Sequence, residues 1–347
     1  METLAIDGSR GEGGGQVLRS SLALSLITGR EVRLSRIRAG RRKPGLRRQH
    51  LTAVLAAAEV GRGGSVEGAA VGSQELTFRP GSVRAGDYRF EVGPAGSVNL
   101  VLQTVLPPLL AADGPSTVTL LGGTHNPMAP PFDYLDRVFL PLLRRMGARV
   151  TARLERHGFY PAGGGRFTVS VGPPAGGLRP LELCERGRVV ERRARAVVAG
   201  GLPRHIAERE LKRTRDKLGW PESSCEVVEV ESDGPGNVLT LEVESEGVTE
   251  LFTGFGQKGV RAERVADLAI REARRYLAPK VPVGEHLADQ LLLPLALAGG
   301  GVFRTLAPSS HALTNLDVMR SFLEDLEPRI EELGRDDHRV ELLRRST

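Results

Sequence analysis

Three loops of this 347-residue chain carry side chains suited to phosphate chemistry. The first, DGSRGEGGGQVLR from Asp7 to Arg19, runs a glycine loop into an apolar helical stretch. Glycines let backbone N–H groups approach an anion, and the start of a helix adds positive potential, so a phosphate fits there. Glu12 would repel that phosphate unless a divalent cation stood between them, as carboxylates provide for magnesium or manganese. A glycine hairpin with a solvated glutamate is the other reading. The second loop, RIRAGRRKPGLRR from Arg36 to Arg48, has seven basic residues in thirteen and no acid. Guanidinium forks match phosphate oxygens in pairs, which points to a phosphate or an RNA backbone; a solvated turn is the alternative. The third, PSSHALT from Pro308 to Thr314, sets His311 just before a helix. There the cationic ring is disfavoured and one nitrogen stays free as nucleophile or ligand, although a lone histidine is more often structural. His125, in GGTHNPMAPP, occupies the corresponding loop of another segment and is a candidate wall of the same cleft.

Local templates offer nothing simpler. Gly-x-x-x-x-Gly-Lys-Ser/Thr, His-Glu-x-x-His and Gly-x-Ser-x-Gly are missing, and GEGGGQ fails Gly-x-Gly-x-x-Gly at its last position. The other histidines have no metal-ligand spacing.

The elements that must position these loops recur along the chain. Gln16, Gln103 and Gln290 each precede or open an apolar helical run, closing at Gly29, Gly114 and Gly299. After each comes a β-rich run (31–37, 116–122, 301–307), a polar loop and a second helix (46–60, 133–147, 313–326). Leu135, Val138, Phe139, Leu142 and Leu143 share one helical face in the middle copy. Two strand-like runs close each unit, giving strand-helix-strand-helix-strand-strand. Gln16 and Gln103 are 87 residues apart but Gln103 and Gln290 are 187 apart, so the third unit holds a surplus of 100 residues, the size of a small domain. That surplus, about 187–280, reads as a strand at 194–200, a helix at 203–218, strands at 225–231, 237–245 and 248–255, and a helix at 261–277.

Composition sets the class. The chain is 40% apolar and 26% charged, with a net charge of +6, which excludes disorder and a collagen-like repeat. Its 48 cations include only five lysines, a bias that codon preference explains globally, so only the placement of arginines is informative. Aromatics at 4% argue against a platform for stacking single-stranded bases. Two cysteines build no disulfide framework, and the N-terminal residues carry acids without an apolar core, so a reduced cytoplasmic protein without a secretory leader is expected. The uncharged stretch 92–112 contains Asn99, Gln103 and Pro107-Pro108 and reads as a buried helix, not a membrane span.

Taken together, RGEGGGQVLRSSLALS, IRAGRRKPGLRRQHLTA, GGTHNPMAPPFDYL, GFYPAGGGRF, GFGQKGVRAE, GEHLADQLLLPLALAGG and SSHALTNLDV resemble the RNA 3′-terminal phosphate cyclase family, in order and over essentially the whole chain. The resemblance implies an α/β (α+β) fold of three repeats similar to the C-terminal domain of translation initiation factor 3. These would be about 1–82, 83–174, and 175–186 plus 281–347, with a smaller thioredoxin-like domain, 187–280, inserted in the third. It implies ATP-dependent conversion of an RNA 3′-phosphate to a 2′,3′-cyclic phosphate through a covalent histidine–AMP and an RNA(3′)pp(5′)A intermediate. The family's nucleophile falls on His311 and its metal-associated glutamate on Glu12, for Mg2+ or Mn2+. Arg19, Arg41 and Gln49 match catalytic positions. Gln103, Pro130, Tyr134 and the run His286, Leu287, Ala288, Asp289 and Gln290 match ATP-binding ones, with His286 standing where members commonly carry tyrosine. RNA 3′-phosphate ends and ATP are the implied partners, with no membrane; the oligomeric state is open, a homodimer included. Competing readings are a non-catalytic ribosome-biogenesis relative, which would lack the nucleophilic histidine present here, an RNA-binding module, and adenylylation of DNA or 5′-phosphate ends.

Overall fold

In the computed structural model, which describes residues 3–94 and 96–345, the chain begins β1 (Leu4–Asp7), α1 (Gly15–Thr28), β2 (Val32–Ser35), α2 (Arg48–Val60), β3 (Gly61–Arg62), β4 (Ser65–Glu67), β5 (Leu76–Arg79) and β6 (Ser82–Val83). It continues through β7 (Asp87–Glu91), α3 (Val98–Leu110), β8 (Ser116–Gly122), α4 (Phe132–Tyr134), a π turn (Leu135–Phe139), α5 (Leu140–Arg145), β9 (Arg149–Arg156) and β10 (Gly165–Gly172). β11 (Leu181–Leu183) leads into β12 (Val189–Ala199), α6 (His205–Leu218), β13 (Cys225–Val230), β14 (Gly236–Ser245), β15 (Thr249–Phe255) and α7 (Ala262–Leu277). The chain then closes with α8 (Glu285–Leu297), β16 (Gly300–Thr305), α9 (Ser310–Phe322), β17 (Leu326–Gly334) and β18 (Asp337–Arg344).

The mixed α/β class expected from the sequence is what the strands form. Three sheets have the orders β1-β2-β5-β4, β7-β8-β10-β9 and β11-β16-β18-β17. In each, the first pair is parallel and the other two antiparallel. A fourth sheet, β13-β12-β14-β15, comes from the segment between β11 and α8. Alternation drives this: β8 and β10 bury every second residue, the period of a sheet with one covered face. β14 is buried along almost its whole length because Leu239, Leu241 and Val243 face α6 and α7 while Val238 packs with Phe159.

Helices α1, α3, α8 and α9 pack against one another within one apolar core that also includes Leu34, Phe78, Leu120, Phe167 and Phe303 of the three sheets. α1 stops at Gly29, whose φ of 71° and N–H bond to Ser25 O (2.9 Å) make a left-handed cap. α3 ends at Leu110, short of the expected Gly114, because its last turn tightens, with Ala111 N bonding to Pro108 O at 3.0 Å.

Candidate active site

His311 sits in the first turn of α9, where Ser309 caps the helix by accepting a hydrogen bond from Ala312 N (3.1 Å). The ring is half exposed, and its Nδ1 is 2.9 Å from Gln16 Oε1. Gln16 in turn donates through its amide NH2 to Asp289 Oδ1, which orients the amide and leaves Oε1 to accept. The proton of His311 therefore resides on Nδ1, and Nε2 keeps its lone pair. Asn315 donates to Asp289 (3.3 Å) and accepts from Ser20 Oγ (2.7 Å), closing a buried polar network around Gln16. Burial, offset in part by the Gln16 bond and the charges of His311 and Arg19, pushes the Asp289 carboxyl up.

Glu12 enters from the glycine loop with 4% of its side chain exposed. Its backbone N–H donates to Thr314 Oγ1 on α9 (3.0 Å), Arg41 pairs with Oε2 and also donates to the Glu12 carbonyl (2.9 Å), and Oε1 lies 3.9 Å from His311 Nδ1. Oε1 is buried with no hydrogen-bond partner among the described residues. Such a carboxylate oxygen fits a hard divalent cation, and magnesium commonly takes one or two carboxylates with phosphate and water oxygens completing its shell. Among the described residues no group of three His, Cys, Asp or Glu gathers around one point, so an ion held through Glu12 would take most of its shell from phosphate and water oxygens.

Arg19 lies beside His50 above Gly15, where an added Cβ would stand 2.5 Å from His50 Nε2 and 2.8 Å from Arg19 Nη1. Burial lowers Arg19 to about 10, still cationic at neutral pH, with Asp289 and Glu12 opposing the fall. Burial and the charges of Arg38, Arg19 and Arg47 hold His50 at about 3, so it is a neutral neighbour. Two other arginines of the second loop, Arg36 and Arg38, are spent internally. Arg36 pairs with Asp7, and Arg38, at a φ of 54°, donates to the carbonyls of Lys43 (2.9 Å) and Gly45 (2.8 Å). Gln49 is engaged as well, its Oε1 accepting from Ser97 N at 2.9 Å.

Next to this cluster a cleft is lined by Gln16, Gln103 and Gln290, the three recurring glutamines, one from each of α1, α3 and α8. Leu106, Leu135, Phe139, Leu293 and Pro130 make it largely apolar, with Arg19, Asn99 and Asp289 among its polar groups. Pro107 and Pro294 lie inside α3 and α8 and line it too. Each lacks an N–H, so the carbonyls of Gln103 and Gln290 lose their usual helical donor. The π turn forms one wall, a distortion frequent where helices carry function.

The remaining expected residues do not line the cleft. Tyr134 is buried, its hydroxyl without a partner. Leu287 and Ala288 turn into the core, and His286 is exposed on the outer side of α8. His125, expected as a wall, is 1% exposed and consumed on both nitrogens, Nδ1 by Thr124 Oγ1 and Nε2 by Asp133 Oδ2, each at 2.8 Å. Burial works against it, yet the His125 bond and the Arg195 charge hold Asp133 well below the usual carboxylate range. This is a structural clamp.

The family model for RNA 3′-terminal phosphate cyclase matches residues 10–325, which include every residue of the cluster and the cleft. The chain belongs to the RNA 3′-terminal phosphate cyclase family. An RNA 3′-terminal phosphate cyclase of Ectopseudomonas mendocina is 55% identical over 312 residues, 90% of each chain. Another, of Pseudomonas fluorescens, is 54% identical over 324 residues, 93% of each. A solved structure, the enolpyruvyl transferase NikO from Streptomyces tendae, covers 98% of this chain and 48% of its own at 14% identity, with a TM-score of 0.36 that is too low to define a shared fold.

Around this cluster, Gln16, Ser20, His50 and Asn315 are brought together by the fold without a sequence motif that marks them as site residues. The sequence marks Gln16 only as a repeat position, yet its recurrence at Gln103 and Gln290 is the usable signal, because equivalent helices bring equivalent positions to one cleft. Ser20, His50 and Asn315 carry no such mark.

Proposed function

We propose that the chain uses ATP to convert RNA 3′-terminal phosphates to 2′,3′-cyclic phosphates. The observation that carries this reading is the Asp289–Gln16–His311 chain, which leaves His311 Nε2 as a free nucleophile beside buried Glu12 and Arg19. Nε2 attacks the α-phosphorus of ATP; the N–P bond forms, the bond to the β-phosphate oxygen breaks and pyrophosphate leaves. An oxygen of the RNA 3′-phosphate then takes the AMP from His311, giving RNA(3′)pp(5′)A. Finally the ribose 2′-oxygen attacks the 3′-phosphorus and AMP departs, the 2′-hydroxyl proton being lost to the medium. A phosphate monoester dianion resists attack and lacks a good leaving group, so passing through an anhydride divides one hard displacement into feasible steps.

Each element of the site suits one role. The apolar cleft holds the adenine, whose amino group meets the acceptor carbonyls that Pro107 and Pro294 leave free. Arg19 and Arg41 offset the charge gathering on the transferring phosphoryl group. A divalent cation bound at Glu12 would withdraw charge from the triphosphate and ease pyrophosphate departure.

The same reading covers architecture and location. The equal order and polarity of three sheets support three repeats similar to the translation initiation factor 3 C-terminal domain, with residues 187–280 as an inserted thioredoxin-like unit. Two free cysteines suit the reducing cytoplasm, and among the described residues no helix is long and apolar enough to cross a membrane.

The deciding experiment incubates the protein with α-labelled ATP and a divalent metal. An acid-labile, alkali-stable protein–AMP adduct is expected, abolished in His311→Ala; no adduct, or an undiminished one in the variant, overturns the reading. RNA 3′-phosphate ends should then cyclise, whereas 2′-deoxy ends should stop at the adenylylated stage.

A further inference from the structure

The catalytic residues open onto two surfaces of different charge. One is a groove that begins at Gly11 and Thr314. It presents four carboxylates, Asp7, Asp317, Glu324 and Glu327, against three arginines, a poor bed for a polyanion. The other starts at the second loop, where Arg42, Lys43 and Arg48 are exposed and make no side-chain hydrogen bond or ion pair among the described residues.

From there two contacts lead towards a further loop. Gln49 accepts the Ser97 N–H, and a Cβ on Gly96 would stand 3.5 Å from Gln49 Cβ. Gly163 rests so closely on this turn that a Cβ would come 2.3 Å from Pro94 O. Gly163 belongs to the loop between β9 and β10 (157–164), in which Tyr160 is 56% exposed. The stem of that loop is fixed. Gly158 O accepts from the N–H groups of Thr124 and His125, both at 2.9 Å, and Phe159 is buried against Val197, Ala199 and Val238 of the fourth sheet. The tethered neighbouring loop carries Met128, 97% exposed at a φ of 65°, a conformation that non-glycine residues seldom hold without a reason.

We infer that the RNA strand leaves the catalytic residues on this second side, its phosphates on Arg42, Lys43 and Arg48, and that a base upstream of the 3′-terminal nucleotide stacks on Tyr160. This assignment rests on RNA being the substrate. Single-stranded RNA is gripped by splaying bases onto aromatic faces, and every base has a π face, so one exposed tyrosine serves without sequence preference. Low aromatic content argues against an extended platform; it does not preclude a single stacking position.

The test uses the full chain and the variants Tyr160→Ala and Tyr160→Phe. Adduct formation from α-labelled ATP, which needs no RNA, should be equal in all three; its absence from the wild type would defeat the RNA-cyclising reading itself. With a hexaribonucleotide ending in a 3′-phosphate, Tyr160→Ala should raise KM roughly 5- to 100-fold, and Tyr160→Phe should stay within about twofold. With a nucleoside 3′,5′-bisphosphate, which has no upstream base, Tyr160→Ala should match the wild type. 2-Aminopurine at the penultimate position should be quenched by the wild type and by Tyr160→Phe but not by Tyr160→Ala. A wild-type KM for the hexamer in Tyr160→Ala, or an equal loss on the bisphosphate, overturns the assignment.

Discussion

On the proposed mechanism, Gln16 is the residue on which the chemistry turns, because it is neutral where many histidine nucleophiles or bases lean on a carboxylate. A carboxylate accepting from Nδ1–H would favour the imidazolium and remove the lone pair that must attack phosphorus. A glutamine amide fixes the same tautomer without that charge, while Asp289, one bond further out, orients the amide. Replacing Gln16 with Glu should therefore move the half-maximal pH of His–AMP formation upward, leaving the plateau rate at high pH largely intact. Gln16→Leu, which removes the acceptor, should slow adduct formation on the order of 10- to 100-fold, the usual cost of losing an orienting partner. Single-turnover adenylylation measured from pH 6 to 9 checks both; coincident profiles for Gln16→Glu and wild type would show that Gln16 does not set the state of the ring.

At the scale of elements, the glycine loop and α9 act as one unit although they lie about 300 residues apart in sequence. Gly11 has a φ of 59°, and a Cβ there would stand 2.0 Å from Thr314 Oγ1, the atom that accepts the Glu12 N–H. Gly11→Ala should thus push Glu12 out of reach of His311, reducing adenylylation at least 10-fold while costing about 1–3 kcal/mol of stability. Labelled-ATP adduct formation and thermal unfolding measure the two effects separately. Why some of this was readable beforehand follows from the same geometry. Periodicity, glycine caps and the recurring glutamine belong to local sequence, so helices α1, α3 and α8 and their shared orientation could be anticipated. His311 and His125 look alike by that criterion, both in loops before helices. Only the partners separate them: His311 has one nitrogen held and one free, whereas His125 has both occupied, by Thr124 and by Asp133. Those partners depend on tertiary packing, which spacing does not encode, as with His50 and Asn315.

At the scale of the whole molecule, the fourth sheet is tied to the walls of the cleft between α1, α3 and α8. Arg195 on β12 donates to Asp133 (3.3 Å) next to the cleft wall, Glu242 on β14 accepts from Arg137 of the π turn (2.7 Å), and Glu250 on β15 accepts from Gly284 N, the cap of the helix that carries Asp289 and Gln290. Glu250 is 2% exposed, and burial pushes it from 4.5 to about 8, despite the Gly284 and Leu251 N–H groups that favour its ionised form. Between those two pH values the folded protein holds a proton that the unfolded chain has released, so stability must fall as pH rises through this window, and the loss is complete only above about 8. Glu210 on α6, raised by burial to about 7, works in the same direction over a narrower range. Glu250→Gln keeps an acceptor for the Gly284 N–H and cannot ionise. It should remove on the order of 3 kcal/mol of that decline between pH 5 and 9, whereas Glu210→Gln should flatten only the part below about 7. Thermal unfolding across that range decides the matter. A Glu250→Gln curve parallel to the wild type would mean that the carboxylate is solvated, and that the contact between the fourth sheet and α8 opens at neutral pH.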